Sequence, residues 1–499
     1  MAHPLYQAHR VTPALAWATS INSFSTIQFG FHLAVTNAPS KIIACSRDEY
    51  ATETFWGSWG RQSCIPMDAN DIALMSTMFT LGGLVSSVVA GSPFVSLIAG
   101  RKRIQKACSA VFLLGSMLLC LANTKWVFLA GRALTGMASG VSIVVAPIMV
   151  NELAPLNHRG LMGSLLQFGV ALGILTAFLT ALPWGNVDQW RWIFAFGAFL
   201  ALAQLILLFT IVESPKWMIT HKGNYSKATQ TLHTLRSESS SVNHEIQHWR
   251  EMRNRPKVGV CEESPLIEEE TPSTFTPLTP SKSRRGSIDP SSVSMLQYIC
   301  STSYHKEVVA VGLIMTAQQL CGMNAINFYG VSILENVVPK GTNVLYIMSS
   351  LALCNVVAML AVSPFIDKFG RKTLLVASLA IMGIVAASIS SSILGGRGAV
   401  AAVSCFIFVT GFSIGLGQIP NLMVSELSSH ETVGVAQSFG TMLNWAANVV
   451  VAYGFPQLQR GVKDYDFFVF SIICAVYVIT VIFFVPETQG RLNYQDIWK

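Results

Sequence analysis

The chain has 499 residues, of which 52% are hydrophobic and only 12% are charged, and its formal net charge is +7. A soluble protein of this size cannot hide so much apolar surface, so the composition excludes an ordinary soluble fold and indicates a membrane protein. The basic excess fits membrane topology better than nucleic-acid binding. Neither a zinc-like nor a nucleic-acid motif is present, so we expect no nucleic-acid partner, metal or cofactor.

Twelve apolar segments are long enough to cross a bilayer as helices. In chain order, the first six predicted helices cover 13–36, 71–97, 104–122, 125–150, 161–182 and 191–212. The second six cover 308–335, 344–365, 373–393, 399–424, 433–456 and 466–485. We therefore predict an all-α membrane protein of two six-helix bundles around a central cavity, the first within 1–212 and the second within 306–499.

Short basic motifs repeat between the two halves. Arg101 and Lys102 follow predicted helix 2, and Arg371 and Lys372 follow predicted helix 8. Because loops rich in Lys and Arg stay on the cytoplasmic side, we place these loops, the 213–305 connection and both termini there. The repeat also predicts two related bundles that rock around a site near the middle of the membrane.

Cysteine positions suggest one disulfide. Most of the ten cysteines lie within apolar segments, where packing is their ordinary role. Cys45 and Cys64 instead fall in the first non-cytoplasmic loop, where an oxidising lumen or exterior favours a bridge. The sequence does not fix the distance between them, so bridged and free forms both stay open.

The connection between the bundles differs in composition from the rest of the chain. Residues 214–236 have the pattern of a short amphipathic helix on the cytoplasmic face. Residues 237–296 are rich in Ser, Thr, Pro and Glu and poor in aromatics, so they cannot bury enough surface to order themselves. We therefore predict a mostly disordered segment near 237–296.

This connection also carries short signals. Glu262, Leu266 and Ile267 resemble an acidic dileucine sorting signal, which predicts a sorting adaptor as partner and a vacuolar or lysosomal membrane. The plasma membrane is the alternative location. Ser287 follows Arg285 closely and resembles a kinase site, where phosphate would add charge beside basic groups. The alternative is an unmodified linker.

A cluster of carboxamides is the most informative polar feature. Gln318, Gln319 and Asn324 lie within a segment of membrane-spanning length, where a polar group must bond within the protein or line a wet cavity. Amides offer donors and acceptors without charge, which suits a neutral, hydroxyl-rich solute. A regular helix would point Gln318 and Asn324 about 120° apart, so we predict a break near Gly322. The alternative is that these amides only hold helices together.

Short motifs recur along almost the whole chain outside the central connection. They are Phe29-Gly30-Phe31, Asn37-Ala38-Pro39, Gly131-Arg132, Glu213-Ser214-Pro215, Gln318 through Asn324, Asp367 through Lys372, and Pro486 through Arg491. In this order and spacing they resemble the sugar porter family of the major facilitator superfamily, and helix 1 is similar to that of glucose facilitators. The chain also resembles fungal vacuolar sugar-porter-like transporters.

The resemblance implies which residues contact a solute and which close the pathway. The sugar-binding positions of the family fall at Gln167, Gln318, Gln319, Asn324, Asn355, Asn444 and Trp445. An aromatic face beside amides suits a pyranose, which has an apolar C–H face and a polar edge. The family's cytoplasmic gate of ion pairs falls at Glu152, Arg159, Asp367, Arg371 and Glu426.

Some positions depart from the family pattern. His32 stands where proton-coupled relatives carry aspartate and facilitators carry asparagine, so His32 and Arg132 are candidates for a titratable coupling pair. The alternative is a neutral, hydrogen-bonded histidine in a facilitator. In helix 10 the family's glutamate falls at Ser413 and its tryptophan at Asn421, which predicts altered sugar selectivity.

The function that follows is transmembrane transport of a monosaccharide or related polyol by alternating access, without ion coupling. Two alternatives remain: a sugar sensor that transports little or nothing, and a proton-coupled porter that uses His32. No nucleophile–base set, metal cluster or phosphate loop supports an enzyme. The partners expected are therefore the solute, the lipid bilayer and a sorting adaptor.

Overall fold

The computed structural model describes residues 11–46, 55–90, 99–155, 158–236, 239–254, 293–335, 338, 343–429, 432–490 and 494–498. Every regular element in these ranges is helical. The first half contains α1 (Pro13–Ala34), α2 (Ala69–Ala90), α3 (Arg101–Leu121), α4 (Lys125–Leu153), α5 (Arg159–Trp184) and α6 (Trp190–Leu207). The connection contributes α7 (Tyr225–Leu235), α8 (Ser239–Asn254) and α9 (Met295–Cys300).

The second half contains α10 (His305–Leu320), α11 (Met323–Glu335), α12 (Val344–Val362), α13 (Arg371–Leu394), α14 (Gly398–Ile414), α15 (Ile419–Leu427), α16 (Val433–Val462) and α17 (Asp466–Phe484). A last turn, α18 (Tyr494–Ile497), lies near the carboxyl end. Two predicted helices are therefore each divided: 308–335 into α10 and α11, and 399–424 into α14 and α15. The other predicted helices have single counterparts whose described ends differ by up to six residues, and the predicted end of helix 2 at 97 lies outside the described residues.

Among the described residues, ten segments are long and apolar enough to cross a membrane. One of them, Val433–Phe484, contains both α16 and α17, which gives eleven crossings. Helix α1 supplies the twelfth crossing; its 22 residues suffice in length, and most of its polar side chains are buried inside the protein.

The helices pack as two groups. In the first half, α2 packs on α4, α1 on α5, and α3 on both α4 and α6; in the second, α13 packs on α14 and α17, and α10 on α16. Glycines allow the closest approaches, because a Cβ on Gly136 of α4 would lie 2.0 Å from the Phe79 carbonyl oxygen of α2. The two groups meet where α2 packs on α16 and α5 packs on α12.

The connection is more ordered than predicted over one stretch. Residues 239–254 form α8, although they fall within the segment predicted to be mostly disordered. The reason is tertiary packing: Val242 and Trp249 of α8 bury themselves against Trp217, Ile219 and other apolar residues of the preceding turns. A disorder prediction from composition did not anticipate these contacts. The predicted amphipathic helix at 214–236 corresponds to a turn at Pro215–Trp217 followed by α7.

We name the two ends of the bundles by their residues. The disulfide end carries the loop between α1 and α2, in which Cys45 is bonded to Cys64. The charged end carries the start of α3, the end of α4 and the corresponding parts of the second half, with Glu152 and Glu426. Because successive helices alternate in direction, these two ends lie on opposite sides of the membrane.

Candidate functional site

The carboxamide segment is broken where the sequence predicts. Helix α10 ends at Leu320 and α11 begins at Met323. Between them Gly322 has φ +97°, a left-handed conformation that glycine adopts without strain. A Cβ at this position would also lie 2.8 Å from a ring carbon of Phe470. The break lets side chains on both sides of it reach one region.

Amides from α10, α11 and α16 form a continuous hydrogen-bonded network at this break. Gln319 Nε2 donates to Asn444 Oδ1 at 2.8 Å, and Asn444 Nδ2 donates to Gln318 Oε1 at 2.9 Å. Asn324 Nδ2 donates to Gln319 Oε1 and, at 2.9 Å, to Asn448 Oδ1. Gln318, Asn324 and Asn448 are buried, whereas Gln319 and Asn444 are half-buried.

The network extends to the second broken helix. Helix α14 ends at Ile414 and α15 begins at Ile419. Gln318 Nε2 donates at 2.8 Å to the Leu416 carbonyl oxygen in the gap, and the Leu416 N–H donates to Ser378 Oγ at 3.2 Å. The unwound backbone therefore finds partners within the protein, as it must inside a membrane.

Trp445 lies next to the amides and contacts the other bundle. It is buried, and its ring packs edge-on to Phe29 of α1 and Phe79 of α2, with centroids 5.7 and 6.1 Å apart. Gly83 of α2 leaves the room for it, because a Cβ there would overlap the indole ring. Aromatic side chains from both halves thus meet at Trp445, which lies one helical turn from Asn448 of the network.

Asn355 belongs to a neighbouring polar position. Its Oδ1 accepts a hydrogen bond from Ser413 Oγ at 2.7 Å. Asn355 and Asn327 line a small cavity between the bundles, with Phe178 of α5 on the opposite side. The space open to the centre of a water molecule is about 10 Å³, roughly what one water needs. Gln167 of α5 is half-buried and, among the described residues, makes no hydrogen bond to the other amides.

His32 and Arg132 meet through the backbone rather than through the imidazole. Arg132 Nη1 donates to the His32 carbonyl oxygen at 2.7 Å, and Arg132 Nε donates to the Met75 carbonyl oxygen at 2.8 Å. The His32 ring stacks on Phe112, and its Nε2 lies 3.2 Å from Ser116 Oγ. The imidazole is therefore directed toward α3 and away from the amide network.

At the disulfide end, hydrogen bonds join the two bundles. Asn37 Nδ2 donates to the carbonyl oxygens of Ile326 and Asn327 at 3.0 and 2.8 Å, and Asn37 Oδ1 accepts from the Val331 N–H at 3.1 Å. At the same end Lys41 pairs with Glu335 at 2.8 Å, and Arg460 Nη1 donates to Asn70 Oδ1 at 2.6 Å. The described structure is closed on this side.

At the charged end, ion pairs form within each bundle. Arg101 makes two hydrogen bonds of 3.0 Å to Glu152 in the first half. Arg371 lies 3.2 Å from Glu426 in the second half. Arg159 begins α5 and Asp367 lies in the turn before α13, but their side chains are outside the described part of the chain. The structure therefore places three of the five predicted gate residues in ion pairs.

Two carboxylates that the sequence analysis named only as parts of family motifs hold the starts of α3 and α13. Glu213 Oε1 accepts from the Lys102 N–H at 3.0 Å, and Glu487 Oε1 accepts from the Arg371 N–H at 2.9 Å. Each helix begins after a glycine, and a Cβ on Gly100 would lie 2.1 Å from Glu213 Oε2. A carboxylate at a helix N-terminus is favourable because it meets free N–H groups and the positive end of the dipole. The same arrangement in both halves agrees with the repeat read from the sequence.

The remaining predictions concern the two loop cysteines, the signals in the connection and metal ligands. Cys45 and Cys64 are joined by a disulfide. The candidate sorting signal at Glu262, Leu266 and Ile267 and the candidate phosphorylation site at Ser287 lie outside the described residues. Among the described residues, no group of three or more possible metal ligands is present.

Comparison with known proteins decides the family. The sequence model of the family described as "Sugar (and other) transporter" matches residues 18–495. The chain belongs to this family. A probable metabolite transport protein of Saccharomyces cerevisiae is 33% identical over 495 residues, which is 98% of this chain and 96% of that relative. The vacuolar protein sorting-associated protein 73 of the same yeast is 29% identical over 494 residues, with 97% and 96% coverage.

A solved structure supports the fold. The xylose transporter XylE from E. coli in an inward-open conformation has a TM-score of 0.73 to this chain at 19% sequence identity, covering 97% of this chain and 100% of that one. The comparisons confirm the resemblance to the sugar porter family and the all-α fold of twelve crossings in two bundles. They also confirm a multi-pass membrane transporter rather than an enzyme.

Several residues of the site were not identified from the sequence. Asn327, which donates to Asn324 Oδ1 at 3.1 Å, was overlooked although it lies one helical turn from Asn324. Arg101 was noted only as a topology signal, and its pairing with Glu152 spans 51 residues of sequence. Gln418, half-buried in the gap between α14 and α15, donates to the Met359 carbonyl oxygen at 3.0 Å. Its position next to Gly415 and Gly417 could have indicated a polar side chain at a break in the helix.

Proposed function

We propose that this protein carries a monosaccharide or a related polyol across a membrane by alternating access, without ion coupling. The observation that carries the proposal is the network of amides at the α10–α11 break, beside Trp445 and next to the other bundle. Neutral donors and acceptors next to an aromatic ring match a molecule with hydroxyl groups and an apolar C–H face.

In this proposal, solute binding replaces hydrogen bonds between amides by hydrogen bonds between an amide and a solute hydroxyl. Gln319 and Asn444 bond to each other, and both are half-buried. A sugar hydroxyl that bonds to either amide displaces part of this pair, so the net gain per contact is about 0.5–1.5 kcal/mol. Such modest contacts suit a carrier, which must release its solute on the opposite side.

The surroundings of His32 support transport without proton coupling. The imidazole stacks on Phe112 and lies near the Ser116 hydroxyl, and Arg132 bonds to the His32 carbonyl rather than to its ring. A ring stacked on Phe112 beside a neutral hydroxyl suits a histidine that stays neutral through the transport cycle. The proton-coupled alternative instead requires the imidazole to gain and lose a proton as solute moves.

Counterflow in proteoliposomes tests the proposal and separates the alternatives. A panel of hexoses, pentoses and polyols is measured at two pH values with the full chain. We expect at least one solute to exchange, with a rate that does not require a pH gradient. Exchange of no member of the panel would favour a sensor. Proton movement with solute that disappears in His32→Asn would favour the coupled alternative.

We also propose a vacuolar membrane as the location. Two features support it: the dileucine-like residues Glu262, Leu266 and Ile267, and similarity to a yeast protein named for vacuolar protein sorting. Imaging of a fluorescent fusion tests the location. Replacement of Leu266 and Ile267 by Ala is expected to move the protein to the plasma membrane, while Ser287→Ala serves as a matched change in the same segment. Unchanged location after the double replacement would remove the sorting role and its adaptor.

A further inference from the structure

The loop at the disulfide end presents an unusual group of aromatic side chains. Phe55 contacts Trp56, Trp59 and Trp192, with ring centroids 5.5, 6.1 and 5.6 Å apart, and Trp56 lies 5.1 Å from Trp192. Trp59 is 70% exposed and Phe55 is 56% exposed. We call residues 55–64 the aromatic loop. A patch of exposed aromatic surface on a short segment indicates an interaction site.

The aromatic loop is held firmly against the first bundle. Cys64 at its end is bonded to Cys45. The Ser63 carbonyl accepts from Trp190 Nε1 at 2.7 Å, and the Gln62 carbonyl accepts from Arg191 Nη2 at 2.8 Å. Both donors lie in the first turn of α6. The loop therefore has a defined position over the start of that helix.

The face of α6 beneath the loop is directed toward lipid. Trp192, Phe199 and Ile206 are seven residues apart, so they lie on one face of the helix, and all three are exposed. In a membrane-spanning helix an exposed apolar face of this kind meets acyl chains. Because Phe55 and Trp56 pack on Trp192, the first residue of this stripe, the loop covers the end of a lipid-facing surface and not the space between the bundles.

A second exposed tryptophan lies on the same flank. Trp126, in the first turn of α4, is exposed, and Lys125 Nζ lies 5.5 Å from its ring centroid. The Asn123 side chain just before it donates to the Gly60 carbonyl of the aromatic loop at 3.2 Å. Tryptophan is favoured where hydrocarbon meets headgroups because its ring is apolar and its N–H is polar.

We propose that the aromatic loop is a lipid anchor, whose Phe55 and Trp59 side chains insert into the headgroup region of the leaflet at the disulfide end. An exposed aromatic pair can also stack on a sugar, but such a platform must face water at the mouth of the pathway. The contact with Trp192 places the loop on the outer flank of the first bundle instead. The partner is therefore the bilayer itself, and the disulfide holds the anchor in place.

Quenching of tryptophan fluorescence by lipids tests this proposal. The full chain is reconstituted in vesicles of phosphatidylcholine brominated near the headgroup, and its emission is compared with that in unbrominated vesicles. The variants are Trp59→Phe and, as matched control, Trp217→Phe, which removes a buried tryptophan of the connection. We expect Trp59→Phe to lose part of the lipid-quenched emission, and Trp217→Phe to lose only emission that lipid does not quench.

The same samples identify the other outcomes. The emission of Trp59 is the difference between the unchanged protein and Trp59→Phe. If iodide in water quenches this emission and brominated lipid does not, the loop faces solvent and the proposal is wrong. If neither quencher reaches it, a protein surface covers the loop, and the proposal is also wrong. Phe55→Leu, which removes the ring beside Trp59, is expected to reduce lipid quenching of Trp59 without changing the emission of Trp217.

Discussion

At the residue scale, the amides of the network are partners for one another. Asn444 both donates to Gln318 and accepts from Gln319, so each side chain fixes the orientation of the next. Linked hydrogen bonds in a low-dielectric site strengthen one another, and loss of one leaves its neighbours unsatisfied. A single substitution in the network therefore affects more than one contact.

Gln319→Leu is the sharpest test of the network. The change removes the donor to Asn444 and the acceptor for Asn324, and leucine has a similar size. A solute hydroxyl then loses one amide partner, a contact worth about 0.5–1.5 kcal/mol. We expect the solute concentration for half-maximal counterflow to rise roughly 2- to 13-fold, since 1.4 kcal/mol corresponds to a factor of ten.

Thr316→Val is the matched control for Gln319→Leu. Thr316 lies one turn earlier on α10, where its hydroxyl donates to the Gly312 carbonyl and accepts from the Tyr477 hydroxyl. These contacts involve α17 rather than the amides, so half-maximal counterflow is expected to stay unchanged. Equal losses in the two variants would show that the effect of Gln319→Leu is structural and not specific to the site.

A second residue-scale prediction concerns Glu307, a carboxylate that is only 1% exposed. It accepts hydrogen bonds from the hydroxyls of Tyr298, Thr432 and Tyr494 at 3.0, 2.9 and 3.0 Å. Burial, together with the charge of Glu307, raises the pKa of both tyrosines far above the ordinary value. Both phenols therefore remain protonated and continue to donate at physiological pH.

Glu307→Gln is expected to lower the melting temperature of the purified protein. An amide offers one acceptor oxygen where the carboxylate offers two, so at least one hydroxyl loses its partner at a cost of about 1–3 kcal/mol. Tyr494→Phe removes one donor and should have the smaller effect. A melting temperature equal to that of the unchanged protein in Glu307→Gln would show that this cluster does not stabilise the fold.

The residue types of the site could be predicted from the sequence, but their partners could not. Gln318, Gln319 and Asn324 stand out because polar side chains are costly in a membrane-spanning segment unless they have partners or a function. The sequence gives no indication that Glu307 meets Tyr494, which is 187 residues away. Pairings over such separations depend on how helices pack, and periodicity within one helix does not contain that information.

At the scale of the elements, apolar length was the dependable signal. It located all twelve crossings because a bilayer requires a minimum helix length. It failed to divide 399–424, because apolar length does not register Gly415 and Gly417, which lie in the gap between α14 and α15. It also missed α8, whose order comes from burial of Trp249 and Val242 rather than from composition.

Gly322→Ala tests whether the α10–α11 break is required. An alanine at φ +97° costs about 1–2 kcal/mol, and its Cβ would also overlap Phe470. We expect a lower melting temperature and a loss of counterflow. Gly454→Ala, in the interior of α16 with open space around the new Cβ, is the matched control and should stabilise by about 0.4–1 kcal/mol. Full counterflow by Gly322→Ala would show that the break is not needed.

For the whole molecule, the two ends differ in how they join the bundles. At the charged end, Arg101 pairs with Glu152 and Arg371 pairs with Glu426, each within its own bundle. At the disulfide end, Asn37 and the Lys41–Glu335 pair bond across the bundles. The contacts of Asn37 and Lys41 across the bundles describe a protein that is closed at the disulfide end.

Asn37→Ala is expected to shift this equilibrium toward opening at the disulfide end. Asn37 makes three hydrogen bonds to the backbone of α11, and none of them can persist after the change. A loss of about 1–3 kcal/mol corresponds to a roughly 5- to 150-fold change in the ratio of the two states.

Thr36→Cys is the reporter for the Asn37→Ala prediction, because Thr36 is buried beside Asn37 at the same end. The new cysteine is labelled with a membrane-impermeant maleimide, and the labelling of protein without Thr36→Cys is subtracted. The remaining labelling should rise when Asn37→Ala is added. It should stay unchanged in Asn186→Ala, whose side chain donates a local hydrogen bond to the Pro183 carbonyl. Equal labelling in all three would mean that Asn37 does not hold this end closed, and that the seal depends on helix packing alone.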